Sequence, residues 1–119
     1  MAQVIADRRD VDFVLHEQFN VADLSRHEAY AEFNRKTVDM IITEARNLAV
    51  KEILPTRQLG DRDGCRLEGG KVSVPESFRR PFELLKEGEW VAMTEDVEWG
   101  GQGMPRTVAL AAGDYFNGA

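Results

Sequence analysis

Apolar residues recur three and four positions apart through the first half of the chain, then give way to shorter apolar runs punctuated by glycine, all ten glycines falling at or after Gly60. The strongest periodicity spans residues 37–54, where Val38, Ile41, Ile42, Ala45, Leu48, Ala49 and Ile53 predict a core helix with Ile42, Leu48 and Ile53 inside. Thr37 can cap its start, a start at Asn34 being the alternative, and Asp39 and Glu44 lie early enough to suit the helix dipole. Pro55 has no amide proton and restricts its predecessor, so a break or kink is expected near Ile53 and Leu54. Ahead of this, residues 10–19 predict a short packing helix capped by Asp10, with Val11, Val14, Leu15 and Phe19 at helical spacing. Residues 22–33 form a weaker amphipathic pattern with Leu24, Tyr30 and Phe33, in which Ser25 and Glu28 have capping-box spacing.

Beyond Gly60 the pattern changes. Residues 66–74 alternate polar and apolar about Gly69-Gly70, the signal of a small hairpin, and an isolated hairpin is marginal in water, so it should lean on the helices or on a neighbouring domain. Pro75 opens a further helix with Phe78, Phe82 and Leu85 on one face, broadened by Leu84. Gly88 ends it, and Pro81 confines its regular part to residues 80–87. Trp90 reads as a core residue bridging this helix to the next loop. That loop, Glu98-Trp99-Gly100-Gly101-Gln102-Gly103, runs into a helix opened by Pro105. Val108, Leu110, Ala111, Ala112, Tyr115 and Phe116 make that last helix apolar over nearly its whole circumference. It should be only partly covered within this chain, leaving an apolar surface near Leu110, Tyr115 or Phe116 through which the chain self-associates.

Composition narrows the function classes. A chain of 119 residues with 43% apolar and 30% charged residues is ordinary for one globular domain with one core. No apolar run approaches the roughly 20 residues that span a bilayer. The N-terminus places Arg8-Arg9 after a very short apolar piece, the reverse of a secretory signal, which favours a cytoplasmic protein. With a net charge of −6, the pairs Arg8-Arg9 and Arg79-Arg80 make no phosphate-tracking stripe, and nucleic acid is excluded as a partner. The lone Cys65 leaves no internal disulfide or thiolate cluster, His16 and His27 offer no paired ligand spacing, and no metal site is assigned. His16 reads as a packing residue. Asp61-Arg62-Asp63-Gly64 lacks the third acid and distant Glu of a calcium loop and reads as turn and cap chemistry. Glu95, Asp96 and Glu98 read as solvated loop charges, having no nucleophile or oxyanion donor beside them.

The ordered series of motifs resembles the acyl-CoA dehydrogenases, whose N-terminal helical domain carries a Glu-Tyr-Gly-Gly-x-Gly loop where this chain has Glu98 to Gly103, with Trp99 in place of the aromatic. Residues 12–17, Asp61 to Leu67 and Gly70-Lys71-Val72 extend the likeness towards the branch acting on methylthiopropionyl-CoA and related thioesters, over about residues 10–119. The resemblance implies an all-α fold, a small orthogonal helical bundle with a minor β-hairpin, and a further turn through residues 57–59. It implies one helical domain, 1–119, cut from a larger multi-domain subunit in which FAD and the carboxylate base come from later regions. No catalytic or cofactor-binding residue is therefore assigned in this chain, and none of the flavin is expected to bind to it alone. The residues placed on one wall of the acyl-CoA cavity are Trp99, Gly100, Gly101, Gln102, Gly103 and Met104, with Leu110 and Phe116 packing. The partners implied are an acyl-CoA substrate, the remaining domains and further copies in a homo-oligomer. Two alternatives stay open: the glycines only make a tight turn between helices, and the chain is a free-standing helical interaction module. Phosphate cradling is less attractive, since no strand precedes the loop and Arg106 alone among basic residues is near.

Overall fold

The computed structural model describes residues 5–119, so the reading of the extreme N-terminus falls partly on residues 1–4, outside the described residues. Helix α1, Arg8–Asp12, is capped by Asp7, whose carboxylate accepts from the Arg9 amide at 2.8 Å, three residues before the expected cap at Asp10. It continues as a π-helical segment, Phe13–Gln18. The single helix expected over residues 22–33 is absent. Two 3₁₀ segments, Val21–Arg26 and Glu28–Tyr30, replace it, separated by an extended His27. The Ser25 hydroxyl donates backwards to the Ala22 carbonyl at 2.7 Å instead of capping, a local bond that competes with helix propagation.

Helix α2, Arg35–Leu48, starts at the alternative cap: Asn34 Oδ1 accepts from the Thr37 amide at 3.0 Å. The break expected before Pro55 takes the form of a change in helix type, from α2 through a π-helical Ala49–Ile53 and a 3₁₀ turn Leu54–Thr56 into α3, Arg57–Asp63. Gly64 closes α3 at φ 62°, its amide donating to the Gly60 carbonyl at 2.9 Å, in keeping with turn and cap chemistry for residues 61–64.

The core is a seam between α2 and α5, Arg106–Gly118. Val38, Ile42, Ala45 and Ala49 form one buried stripe on the α2 side, and Val108, Ala109, Ala112 and Tyr115 form its counterpart, with Leu15, Val21, Phe33 and Met104 closing the ends. Small residues on both stripes let the two backbones approach closely. Ile42 is buried as expected, whereas Leu48 and Ile53 lie at the edge of the stripe and are only half-buried. On α5 the outcome divides. Leu110, expected both to pack and to lie near an uncovered surface, is 74% exposed, in keeping with the second; Tyr115, expected near an open surface, is fully buried. Phe116 is half-buried and meets the Trp90 ring edge-to-face at 5.2 Å, so Trp90, expected as a core residue joining α4 to the next loop, is half-buried and also reaches the last helix.

Strands β1, Arg66–Glu68, and β2, Lys71–Ser73, pair antiparallel with Leu67 opposite Val72. Gly69 and Gly70 both have positive φ, 56° and 76°, as a two-residue hairpin turn requires. All six strand residues are exposed, so the hairpin does not lean on the helices. Helix α4, Arg79–Glu87, begins one residue earlier than expected and ends at Gly88. Arg80 grips Glu52 through Nε to Oε2 at 2.8 Å and Nη2 to Oε1 at 3.2 Å, tying α4 to the end of the α2 arm. The Phe78 ring lies over Gly60, where a Cβ would collide with it; Phe82 is exposed with the Lys86 ammonium 5.2 Å from its ring centre. The whole is mostly helical with one small hairpin, as expected, but flat: its extents are 54 × 42 × 17 Å and its radius of gyration 16.4 Å. A compact chain of this length has a radius near ~13.5 Å. Among the described residues, no helix is long and apolar enough to cross a membrane.

Candidate functional site

The loop between α4 and α5 is built by doubling the chain back on itself. Gly88 and then Glu89, a non-glycine residue at φ 60°, turn it out of α4. Residues 92–97 then run beside residues 99–104, whose amides they engage. Gln102 donates to Ala92 at 3.1 Å, Met104 to Met93 at 2.9 Å, Gly103 to Glu95 at 2.9 Å and Gly101 to Asp96 at 3.0 Å. The 3₁₀ turn Val97–Trp99 forms the tip, and Gly100 (φ 84°) reverses the chain after it. Gly101 is required by close approach, because a Cβ there would run into the Glu95 carbonyl. With these amides engaged, the loop has little left to offer a phosphate.

The six candidate residues are placed differently. Trp99 and Gly100 stand in solvent at the tip, Trp99 being 80% exposed. Gly101 is buried against residue 95, and Gly103 (φ 58°) turns the chain into α5. Gln102 and Met104 face a cavity of about 330 Å³ that they share with Trp90, Phe33, Met40 and Ile41. Gln102 is fixed there by donating from Nε2 to Glu89 Oε2 at 2.6 Å. Trp90 and the α2 residues were not among the sequence candidates. Phe33, Met40 and Ile41 lie 61 to 71 positions before Gln102 and Met104, and no local spacing announces that they meet. Glu32, Glu44 and Glu89 also line the cavity and no basic residue does, so its field repels the diphosphate of a flavin or of coenzyme A and accepts apolar, uncharged groups. The residues present do not fit a flavin. Glu95, Asp96 and Glu98 are all exposed, in keeping with solvated loop charges.

A second cluster was invisible to sequence spacing. His16, nearly buried, has Nε2 at 2.7 Å from Asp39 Oδ1, and Asp12 lies close enough that ligand atoms of all three fall within 4.8 Å of one another. The space is already served by a cation. Arg8 bonds Asp12 through Nε at 2.7 Å and Thr43 through Nη1 at 2.7 Å, and its Nη2 is 3.9 Å from Asp39. The cluster thus reads as an ion network fastening α1 to α2, and His16 as a packing residue within it. Elsewhere, hydrogen bonding and the charge of Arg80 hold the Glu52 carboxyl below its ordinary pKa, and Arg62 does the same for Asp63. Burial pushes the Tyr115 phenol up, against the opposing fields of Arg8 and Arg46.

No protein-family profile matches the chain. A curated relative does: the chain is 26% identical over 111 residues to the 3-methylmercaptopropionyl-CoA dehydrogenase of Ruegeria pomeroyi, a match covering 93% of this chain. The chain spans 19% of that protein's length. The resemblance to acyl-CoA dehydrogenases carried by the loop and the upstream motifs is therefore borne out along nearly the whole sequence.

Proposed function

We propose that this chain is the N-terminal helical domain of an FAD-dependent acyl-CoA dehydrogenase, a subunit that oxidises an acyl-CoA thioester to the 2,3-enoyl-CoA. The observation that carries the reading is the match to the curated dehydrogenase, which takes in 93% of this chain and only 19% of the relative. In this role the loop from Trp99 to Met104 contributes one wall of the substrate pocket. Met104 and Gln102 offer the acyl portion an apolar face with one polar group, Trp99 at the tip packs against a further domain, and Gly101 and Gly103 hold the turn that positions them. The acidic lining of the cavity suits the acyl end of the substrate and leaves the coenzyme phosphates to other segments. The flavin, which accepts the hydride in such oxidations, and the base that takes the α-proton belong to those segments as well. The chain alone is inactive.

The test compares the 119-residue chain with a subunit carrying this domain, measured by acyl-CoA-dependent reduction of an artificial electron acceptor. Activity is expected only in the longer protein. There, Met104→Ala should raise KM for the acyl-CoA with flavin content unchanged, since it removes a contact with substrate and none with the cofactor. Turnover by the short chain, or a longer protein that holds flavin yet oxidises no acyl-CoA, would overturn the reading.

A further inference from the structure

A second groove, of about 790 Å³, runs between the N-terminal helical arm and α5, on a different part of the molecule from the loop cavity. Its apolar surface comes from Val14 and Phe19 on the arm, 38% and 62% exposed, and from Leu110 and Ala111 on α5. Leu15 is almost completely buried while Leu110 and Phe19 stand largely in water, an apolar strip that nothing among the described residues covers. Along α5 the strip runs from Thr107 to Asp114, two helical turns or about 10 Å, which matches the i, i+3/i+4, i+7 anchors of a bound helix.

Charge selects the occupant. Asp7, Asp10 and Asp114 line the groove and no basic side chain does. Arg8, next to Asp7 in the chain, is held by Asp12 and Thr43 in the network against α2. A second copy of this chain would bring a net charge of −6 against another −6 and set carboxylates against carboxylates. We propose that this groove docks an amphipathic helical segment whose apolar face carries branched aliphatic side chains and whose flanks carry Lys or Arg. The proposal rests on this surface alone and is independent of the dehydrogenase reading.

The probe is a fluorescently labelled peptide of about 18 residues with Leu along one helical face and Lys along the other, paired with a twin bearing Glu in place of Lys. Binding to the 119-residue chain is followed by fluorescence anisotropy. The Lys peptide should bind saturably and at least about tenfold tighter than its twin, the advantage shrinking as salt screens the rim. Leu110→Asp should weaken the Lys peptide at least about tenfold. That variant is diagnostic because it adds a negative charge: indiscriminate attraction of a cationic peptide to an acidic protein would strengthen. Leu110 is exposed, so the variant should fold, with circular dichroism as the check. The isosteric double change Asp10→Asn and Asp114→Asn should narrow the gap between the two peptides without touching the apolar strip. Equal binding of both peptides, or binding that survives Leu110→Asp, would overturn the proposal. So would a dimer of the chain that Leu110→Asp dissolves, since that would make a second copy the occupant.

Discussion

Replacing Tyr115 by Phe should stabilise the protein. The ring lies in the α2/α5 seam with none of its surface exposed, and its hydroxyl has no hydrogen-bond partner among the described residues. Tyr115→Phe keeps the ring and its packing and removes only the desolvated oxygen. Leaving a buried polar group unsatisfied costs about 1–3 kcal/mol, and the small void left behind returns part of that, so a net gain of about 0.5–2 kcal/mol is expected. A gain of that size raises Tm by a few degrees, ~4–8 °C per kcal/mol being usual for domains slightly smaller than this one. Urea denaturation read by circular dichroism measures it, provided wild type and variant have the same slope against denaturant. The alkaline limb gives a second reading. Because burial raises the phenol's pKa in the folded state, stability from this residue is complete below the unfolded value near ~10 and is lost as pH rises through the higher folded value. Tyr115→Phe should lose this part of the alkaline decline. A destabilisation of about 1 kcal/mol or more would refute the reasoning, because it would mean that the hydroxyl is satisfied, for instance by an internal water.

Three further outcomes are expected. Gly101→Ala should cost more than about 1 kcal/mol in a denaturant titration, since its methyl meets the Glu95 carbonyl, whereas Gly113→Ala in the middle of α5, whose methyl makes only an ordinary contact with the Asn117 side chain at 4.0 Å, should gain about 0.5–1 kcal/mol; equal effects would contradict the close approach at residue 101. Ile42→Ala should cost about 2–5 kcal/mol and Leu48→Ala clearly less, because only the first side chain is fully inside the seam. Of the two tryptophans, Trp99 should be quenched readily by a soluble quencher and Trp90 weakly, checked with the variants Trp90→Phe and Trp99→Phe, the reverse order being incompatible with the loop as described.

The periodicity of α2 was legible because one dominant stripe has to face one partner, and Ile42, the residue at its centre, was placed correctly. What the sequence concealed lay at ends and at long range. Asp7 and Asp10 are both acceptable caps, and the choice between them follows from where the arm must start for Arg8 to reach Asp12, Thr43 and Asp39 on its own helix and on α2. Ser25 and Glu28 have capping-box spacing, yet the Ser25 hydroxyl finds the Ala22 carbonyl first. Leu110 and Tyr115 are five positions apart on one apolar helix, and only the approach of α2 decides which is covered. At the loop, the glycines were legible as a turn, whereas the close approach of Gly101 to Glu95 and the meeting of Gln102 and Met104 with Trp90 and Phe33 depend on a hydrogen-bonded return through residues 92–97 that carries no sequence signature.

The 17 Å thickness has a consequence for measurement. With extents of 54 and 42 Å in the other two directions, the molecule presents two broad faces on either side of the α2/α5 seam. Whatever settles on such a face and binds only the folded form adds RT ln(1 + [L]/Kd) to the free energy of unfolding. The melting temperature of this chain should therefore act as a gauge of occupancy, rising with the concentration of anything that covers it, and a value recorded for the chain by itself is the zero of that scale.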